Sequence, residues 1–411
     1  MKHILEGTRV LDFTHYLAGP SCTRMLAEMG AEVIKVELAP TGDGCRQLPL
    51  IIDGRSGYYV QQNRGKKSIC LDHKDPRALD ALKELVNTCD VLVENFSVGV
   101  IAKMGLGWDA VHEMNPKLVM CSISAFGQEG PLSGYPGYDY VAASYTGIAS
   151  IIGTEDGTPV LPMCAFGDVG TGVSAAGAIG YALLHAERTG KGQYLDISLI
   201  DTYYQYNDTG VEGLSLSKGE YMPRASGAHH FAGGPLGFYQ GQEMIILIIA
   251  LPLQWPRFCD AIGMPELLTD PRFAEMVDRM ENHQELIDII TGWIHAQESD
   301  QEVIRILQEA RVPVAPILSP VEAMDHPQLR QRGTAQTITD RALGEFTIPG
   351  MSFRFSKFPP LELDAPFLGE HNTQVLTELA GLTIEQVTEM EADGTLASEP
   401  IPDGPGEGRI A

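Results

Sequence analysis

The sequence predicts an α/β protein with a doubly wound, parallel-sheet large domain and a smaller α+β domain. The first indication is a βαβ pattern at the N-terminus, where strand-like runs at 8–14 and 31–37 flank a helical pattern at 21–29. The second is the continued alternation of short apolar runs with amphipathic patterns, such as a strand at 90–94 after a helix at 75–87. Such alternation is typical of a parallel sheet covered by helices on both faces.

The small domain is predicted where this alternation stops. Helical patterns at 254–262, 282–296 and 300–310 follow a single strand-like run at 243–250. Linkers are expected near 218–226 and 318–332, because glycine, proline and polar residues interrupt the periodic pattern there. We therefore expect the large domain to be built from 1–217 and 330–411, with the small domain, 226–325, inserted between them.

The composition excludes several classes of function. The 411 residues are 44% hydrophobic and carry a formal net charge of −25. Such an acidic chain repels nucleic acid and anionic membranes, so neither is an expected partner. No apolar run approaches the roughly 18 residues of a membrane span, and strand-like sequence follows Met1 almost directly, so we expect a cytoplasmic protein without a signal peptide. The seven cysteines are scattered and lack a C-x-x-C pair, which favours reduced, buried thiols over a metal site.

The chain is organised around the stretch from 159 to 202. An apolar run at 160–166 leads into the hexapeptide GDVGTG at 167–172, and a helical pattern follows at 174–188. Asp168 is therefore expected where a strand end meets a helix start, and a carboxylate there is a common helix cap. Alternatively, Asp168 is a nucleophile, since its glycine neighbours leave room for a large substrate and backbone N–H groups at a helix start can hold an oxyanion.

Four further motifs accompany this hexapeptide. They are LDFTHYLAGPSCTRMLAEMGAEVIKVE at 11–37, QNRGKKSICLD at 62–72, VLVENFSVGVIAKMGLG at 91–107 and LGEHNTQVL at 368–376. In order and spacing, these motifs resemble the family III CoA-transferases, which include formyl-CoA and carnitine CoA-transferases. The resemblance covers nearly the whole chain and implies that Asp168 is the catalytic nucleophile.

The resemblance implies an enzyme that moves CoA from one carboxylic acid to another. The implied route passes through an aspartyl anhydride and an aspartyl-CoA thioester. An acyl-CoA donor and a carboxylic acid acceptor are the implied partners, with the CoA thioester as substrate and no permanently bound cofactor. The family also implies a homodimer in which each chain is a ring threaded through the other.

The resemblance further implies which residues contact CoA and the acyl group. The implied contacts are His15, Leu17, Ala18, Leu71, Asp72, Lys74, Asn95, Phe96, Lys103, Tyr138 and Asp139, together with Gly233 and Gly234 in a glycine loop at 232–235 that closes over the reacting carbonyl. On the residues alone, His15 can also be a hydrogen-bonded loop side chain, Lys103 a solvated lysine and Asp139 a helix cap. Because CoA is an anion, binding needs a local cationic patch, and the densest candidates are Arg64, Lys66 and Lys67 with Lys74.

Two alternatives to this function remain at the sequence level. A racemase or epimerase of CoA esters would use Asp168 as one proton-transfer base. Racemases of this superfamily place a histidine at the position of Tyr138, and a tyrosine with an ordinary pKa of about 10 is a poor base at neutral pH. A catalytically silent CoA-binding protein is disfavoured by the intact Asp168 and its glycines. Leu38 and Leu48 stand where relatives carry Arg and Trp, so we expect an acceptor acid larger than oxalate.

Overall fold

The computed structural model describes residues 3–208, 210–230, 233–402 and 404–406, which form two compact units. The first unit comprises Met1–Thr146, Pro162–Tyr206 and His326–Ala411, and the second comprises Gly147–Leu161 and Asn207–Asp325. Relative to the ranges drawn on the sequence, the main boundary lies at 206/207 instead of beyond 217, and residues 147–161 belong to the second unit.

Strands alternate with helices through most of the described chain. The strands are β1 (Arg9–Asp12), β2 (Glu32–Leu38), β3 (Ile51–Ile52), β4 (Arg55–Ser56), β5 (Lys66–Leu71), β6 (Val91–Glu94), β7 (Val119–Ser124), β8 (Tyr194–Ser198), β9 (Leu236–Gln240), β10 (Ile245–Ile249), β11 (Val314–Pro316), β12 (Ala335–Asp340) and β13 (Gly344–Pro349). The helices are α1 (Ala18–Glu28), α2 (Gly57–Asn63), α3 (Pro76–Thr88), α4 (Val100–Lys103), α5 (Trp108–Met114), α6 (Asp139–Tyr145), α7 (Ile148–Ile151), α8 (Phe166–Thr189), α9 (Leu199–Gln205), α10 (Gly210–Leu216), α11 (Trp255–Ala261), α12 (Met276–Glu281), α13 (His283–His295), α14 (Asp300–Glu309), α15 (Pro320–Asp325), α16 (Pro327–Arg332), α17 (Asn372–Glu378) and α18 (Ile384–Ala392).

The first unit contains the predicted parallel sheet, in the order β5-β2-β1-β6-β7-β8. All of its neighbouring strands pair in parallel. The chain winds outward from β1 through β2 to β5, and then from β6 through β7 to β8 on the other side. The direction of winding therefore reverses between β1 and β6, and open α/β sheets bind ligands beyond the carboxyl ends of the strands at such a switch point.

Both faces of this sheet are buried, which confirms the doubly wound arrangement. Leu11 and Ile34 belong to a core that includes α3 and the C-terminal helices α17 and α18. Their neighbours Val10 and Val33 face the opposite side, where α1 and α8 cover the sheet. Since successive side chains of a strand point to opposite faces, strands buried on both sides are almost entirely apolar.

The second unit is built on a small antiparallel sheet of order β11-β10-β9. Its core joins Ile246 and Ile248 of β10 to Phe258 of α11, Ile290 of α13 and Leu307 of α14. The helices predicted at 254–262, 282–296 and 300–310 are confirmed to within one or two residues at each end.

The stretch around Asp168 differs from its prediction. The run 160–166 forms no strand, and α8 begins at Phe166, so the glycine hexapeptide lies inside the helix and not in a turn before it. Glycine is a weak helix former, so its use here shows that packing overrides propensity. After α8 and β8, α9 ends at Gln205 and α10 begins at Gly210.

By length and composition, α8 is the one described helix that could cross a membrane, with 24 residues and 39% of its most apolar window buried. The core helix of a soluble protein passes the same test. Ala175, Ile179 and Ala182 pack in the core against the sheet. One face of α8 therefore belongs to the core of the first unit.

Candidate active site

A cavity of about 330 Å³ opens at the switch point of the large sheet. Loops that follow β1, β6, β7 and β8 contribute to its wall. Seven residues that the sequence assigns to the active site line it: His15, Leu17, Ala18, Asn95, Phe96, Tyr138 and Asp168. The structure therefore brings together candidates that lie far apart in the chain.

The loops after β1 and β6 are tied to each other by Asn95. The backbone N–H of His15 donates to Asn95 Oδ1 at 2.8 Å, and Asn95 Nδ2 donates to the carbonyl oxygen of His15 at 2.9 Å. The Phe96 ring lies 5.4 Å from the His15 ring, centroid to centroid. Asn95 thus fixes the two sides of the switch point at a set spacing. This structural role was not foreseen from the sequence.

Burial lowers the pKa of His15, and Asp43 opposes this only in part. Its imidazole is therefore mainly neutral at pH 7. A neutral ring places no positive charge in the cavity, and it can donate or accept a hydrogen bond to a bound thioester.

A buried ion pair supports the loop that carries His15. Lys35 Nζ lies 2.8 Å from Asp43 Oδ2, and neither side chain is more than 1% exposed. Lys35 Nζ also donates to the Thr14 carbonyl oxygen at 2.6 Å, while Asp43 Oδ1 accepts the Tyr16 N–H at 3.0 Å. Tyr16 has a φ of 62°, which is uncommon for a residue with a side chain. The pair therefore holds the backbone of residues 14–16 from both ends. The sequence hint was the acid in the Gly-Asp-Gly segment at 42–44.

Two of the four members of the predicted cationic patch for CoA are buried, and a third pairs with a carboxylate. Arg64 is buried against Glu28, Lys66 Nζ lies 2.9 Å from Asp12, and Lys67 Nζ lies 2.8 Å from Glu32. These cations neutralise carboxylates within the fold. The prediction fails for Lys66 because a lysine in a buried strand cannot be distinguished in sequence from a lysine on the surface.

Two of the predicted phosphate contacts remain exposed. Lys74 and Lys103 are exposed, and within the described residues neither pairs with a carboxylate. Asp72 is partly exposed and accepts the Lys74 N–H at 3.0 Å. Leu71, by contrast, is fully buried in the core. Its predicted contact with CoA is therefore incompatible with this conformation, because an apolar strand residue at this position completes the core.

Asp168 is the third residue of α8, and it does not cap the helix. Ala165 occupies the N-cap position, and the Asp168 backbone N–H donates to Asp139 Oδ2 at 2.8 Å. That N–H is consequently engaged and is not free to hold an oxyanion. Asp139 begins α6, yet its carboxylate serves the first turn of α8 and not its own helix. The capping alternative is therefore wrong for Asp168. Asp139, which lies outside α8, instead accepts a backbone N–H from the first turn of that helix.

The electrostatics of Asp168 are those of a carboxyl group that ionises near neutrality. Burial, and then the negative charge of Asp139, raise the pKa of Asp168 to about 7. Burial disfavours the charged form, and a neighbouring carboxylate adds repulsion. Strong pKa shifts of this kind cluster at functional sites. Tyr138, the N-cap residue of α6, is exposed on the cavity wall.

The glycines of the hexapeptide have packing roles. A Cβ at Gly167 would overlap the Tyr203 ring, and one at Gly170 would overlap the Tyr206 hydroxyl. A Cβ at Gly172 would lie 2.7 Å from the Ala18 carbonyl oxygen on α1. The sequence interpretation, in which these glycines clear a path for substrate, is replaced by one in which they let α1 and α9 approach α8.

The predicted glycine loop belongs to the second unit. Gly233 and Gly234 are buried there, and the Gly234 carbonyl oxygen accepts a hydrogen bond from Arg279 Nε at 3.1 Å. Ala232, the first residue of the predicted loop, lies outside the described residues.

The parallel sheet and the carboxyl group at its switch point define an α/β enzyme in which an aspartate faces a ligand cavity. The family model "CoA-transferase family III" matches residues 5–372. The chain therefore belongs to family III of the CoA-transferases, and it is an enzyme of that class.

Named relatives span nearly the whole chain. A succinyl-CoA:glutarate CoA-transferase from Mus musculus is 34% identical over 91% of this chain and 86% of its own. A formyl-CoA:oxalate CoA-transferase from a Bradyrhizobium species is 35% identical over 96% of this chain and 98% of its own. Among solved structures, a CAIB/BAIF family protein from Brucella suis aligns with a TM-score of 0.80 and 30% identity, covering 92% of this chain and 100% of its own.

Proposed function

We propose that this enzyme transfers CoA between carboxylic acids through covalent intermediates on Asp168. The observation that carries the proposal is the position of this carboxyl group, which lines the same cavity as the loops after β1 and β6. A transferase must conserve the energy of the thioester, and a covalent intermediate does so where hydrolysis would lose it.

The proposed reaction begins when an Asp168 oxygen attacks the carbonyl carbon of the donor thioester. The carbon–sulfur bond breaks, the electron pair leaves with the CoA thiolate, and a mixed anhydride remains on Asp168. The thiolate then attacks the aspartyl carbonyl carbon, which expels the donor carboxylate and forms an aspartyl-CoA thioester. The acceptor carboxylate attacks the carbonyl carbon of this thioester, which expels the CoA thiolate and forms a second mixed anhydride on Asp168. The thiolate then attacks the acyl carbon of that anhydride, which yields the new acyl-CoA and frees the Asp168 carboxylate.

The environment of Asp168 suits this role. A carboxylate in water is a weak nucleophile, and partial burial removes part of the hydration shell that must be displaced during attack. The same burial raises the pKa of Asp168 to about 7. Because only the ionised form attacks, we propose that the transfer rate rises with pH across the range 6 to 8.

The proposed substrates are an acyl-CoA donor and a carboxylic acid acceptor, used without a permanently bound cofactor. The relatives named above act, by their names, on glutarate with succinyl-CoA and on oxalate with formyl-CoA. Leu38 and Leu48 led us to expect an acceptor larger than oxalate, although neither lines the 330 Å³ cavity. A panel of monocarboxylates and dicarboxylates, assayed with succinyl-CoA and formyl-CoA, tests the function, and the absence of transfer to every acceptor would contradict it.

We propose that Lys74 and Lys103 bind the nucleotide end of CoA, because both are exposed cations in an otherwise acidic chain. Reversing either charge with Glu should raise KM about 10-fold for every acyl-CoA donor, with little change in KM for the acceptor acid. Interactions remote from the chemistry, and common to all donors, affect binding uniformly. Lys83→Glu is the matched control, since Lys83 already pairs with Asp80 at 3.0 Å. Unchanged KM values in both variants would place the nucleotide elsewhere.

We also propose the interlocked homodimer. The chain passes from the first unit into the second and returns, which a threaded ring requires. An exposed apolar face on α8 supports a partner: Val169, Val173, Tyr181 and Leu184 recur at helical spacing, with Gly177 and Gly180 open beside them. An exposed apolar stripe on a long helix is typical of an interaction surface.

An interlocked dimer cannot separate without unfolding, so its stability is inseparable from that of its subunits. We expect sedimentation at nanomolar concentration to show a species near twice 44.6 kDa. A folded monomer in reversible exchange at that dilution would rule out interlocking.

The racemase alternative gains no support from the relatives, which are named as transferases. It makes a separate prediction, since a racemase would exchange the α-proton of an acyl-CoA with deuterium from D₂O in the absence of any acceptor acid. Transfer without such exchange is the result we expect.

A further inference from the structure

Three groups form a chain of contacts behind the cavity. The Tyr203 hydroxyl on α9 donates to Asp139 Oδ1 on α6, and Asp139 Oδ2 accepts the backbone N–H of Asp168 on α8. Tyr203 and Asp139 are each only 3% exposed. One carboxylate therefore links three helices, and each of its oxygens has one protein donor.

The Asp139 charge is held by neutral donors. Within the described residues no lysine or arginine pairs with it, which is unusual for a buried carboxylate. Burial and the hydrogen bond to Asp139 raise the pKa of Tyr203, so this side chain stays a neutral donor at physiological pH. Loss of the hydroxyl would leave Asp139 Oδ1 buried without this donor.

The position of Tyr203 is set by the glycine hexapeptide. Its ring occupies the space that a side chain at Gly167 would fill, so the residue before Asp168 must be glycine. Tyr206 stands in the same relation to Gly170. The ring contact aligns the Tyr203 hydroxyl with Asp139, and it couples the first turn of α8 to α9.

We propose that Tyr203 is a positioning residue, which holds the Asp139 carboxylate against the first turn of α8 and thereby sets how Asp139 acts on Asp168. This inference rests on the role proposed above for Asp168. The titratable groups that face Asp168 and Asp139 are His15 and Tyr16 after β1, Tyr58 on α2, Tyr138 before α6, and Tyr203 and Tyr206 at α9. With His15 neutral, Asp139 supplies the main charge that acts on Asp168.

The direction of the effect follows from the repulsion that the Asp139 charge exerts on Asp168. In the wild type, the two hydrogen bonds hold the Asp139 carboxylate beside Asp168, and Asp168 ionises against that charge. Without the Tyr203 hydroxyl, the carboxylate is no longer held at this position, so Asp168 ionises with less repulsion. We expect Tyr203→Phe to move the acidic limb of the kcat profile to lower pH by at least 0.5 pH unit, on the order of a threefold shift in proton affinity. Transfer at pH 8 should fall about 10- to 100-fold, because Asp139 no longer fixes the first turn of α8.

The matched control is Tyr206→Phe, which removes a hydroxyl one turn away on the same segment. For this variant we expect the acidic limb to stay within 0.2 pH unit of the wild type, on the order of experimental scatter. Tyr203→Phe is also introduced into Asp139→Asn protein. In the Asp139→Asn background, Tyr203→Phe should change neither the apparent proton affinity of the acidic limb nor the transfer rate by more than about twofold, because the carboxylate through which Tyr203 acts is absent.

A readout independent of activity separates this inference from the proposed function. The side-chain carboxyl of Asp168, assigned in ¹³C-aspartate-labelled protein by its loss in Asp168→Asn, should titrate at lower pH in Tyr203→Phe than in the wild type. The positioning role would be overturned if the Asp168 titration did not move in Tyr203→Phe. It would also be overturned if Tyr203→Phe lowered the rate as much in Asp139→Asn protein as in the wild type. A moved titration in a protein without transfer activity would overturn the proposed function and leave the contact between Tyr203 and Asp139 intact.

Discussion

Asp168→Asn should lose CoA transfer by at least about 10³-fold while it still binds acyl-CoA. The amide is nearly isosteric and keeps the backbone N–H that donates to Asp139 at 2.8 Å, so the first turn of α8 should not move. What is lost is the nucleophilic oxygen that would form the anhydride. Steady-state transfer and equilibrium binding of CoA, measured on the same preparation, check both parts.

The same variant should be more stable than the wild type above pH 7. Folding raises the pKa of Asp168 from an ordinary value of 3.8 to about 7, so the folded state holds a proton that the unfolded chain releases. Stability conferred by such a group is complete below pH 4 and is lost as pH rises toward 7. Each unit of pKa corresponds to about 1.4 kcal/mol, so after allowance for partial exposure we expect Asp168→Asn to gain on the order of 2–4 kcal/mol at pH 8 and little at pH 4.

Urea denaturation at the two pH values measures this difference, and Asp80→Asn on the exposed face of α3 is the control for a lost surface carboxylate. A stability gain combined with a loss of activity is the signature of a functional group kept at a cost to folding. Turnover above a few per cent of wild type, or an equal stability change at both pH values, would contradict the assignment. Treatment of the wild type with acyl-CoA and hydroxylamine should in addition leave a hydroxamate on Asp168, visible in the mass of its peptide.

The parallel sheet could be predicted from the sequence because its signal is local. Runs such as 31–37 and 90–94 are centred on Val, Ile and Leu, as is typical of strands buried on both faces, and the intervening helices are amphipathic or capped. The helix predicted at 75–87 is confirmed as α3, and the Asp75 side chain caps it by accepting the Arg77 N–H at 2.8 Å. The start of α8 was missed because three glycines signal a turn when only local propensity is considered.

Site residues that belong to a recognisable motif could be predicted from the sequence. Residues whose role depends on a partner distant in sequence could not. Asp168, His15, Asn95 and Phe96 converge on the cavity as the resemblance implied. The roles of Lys66 and of Tyr203 depend on partners 54 and 64 residues away in sequence, Asp12 and Asp139, and no periodicity within one segment reports such pairs. A lysine beside another lysine therefore suggested a ligand patch, although one of the two is fully buried.

The buried pair of Lys35 and Asp43 yields the largest expected loss of stability. Burial by itself lowers the pKa of Lys35, but the carboxylates of Asp43 and Asp12 outweigh it and raise the pKa. Burial likewise opposes ionisation of Asp43, and Lys35 outweighs it, so the pKa of Asp43 is lowered. Both groups are therefore charged across the neutral range, and each compensates for the burial of the other.

Lys35→Met should destabilise the protein by about 3–5 kcal/mol, because it leaves the Asp43 carboxylate buried without its counter-ion. That is a large share of a typical total of about 5–15 kcal/mol. The loss should be complete near pH 7 and should shrink as the pH falls toward 4, because burial without the counter-ion raises the pKa of Asp43 above its ordinary value of 3.8 in the variant. Lys67→Met is the matched control: its ammonium pairs with Glu32 at 2.8 Å, but with side chains 28% and 33% exposed, and such pairs contribute only about 0–1 kcal/mol. Equal losses in the two variants, measured by urea denaturation, would show that the Lys35 pair does not support the loop that carries His15.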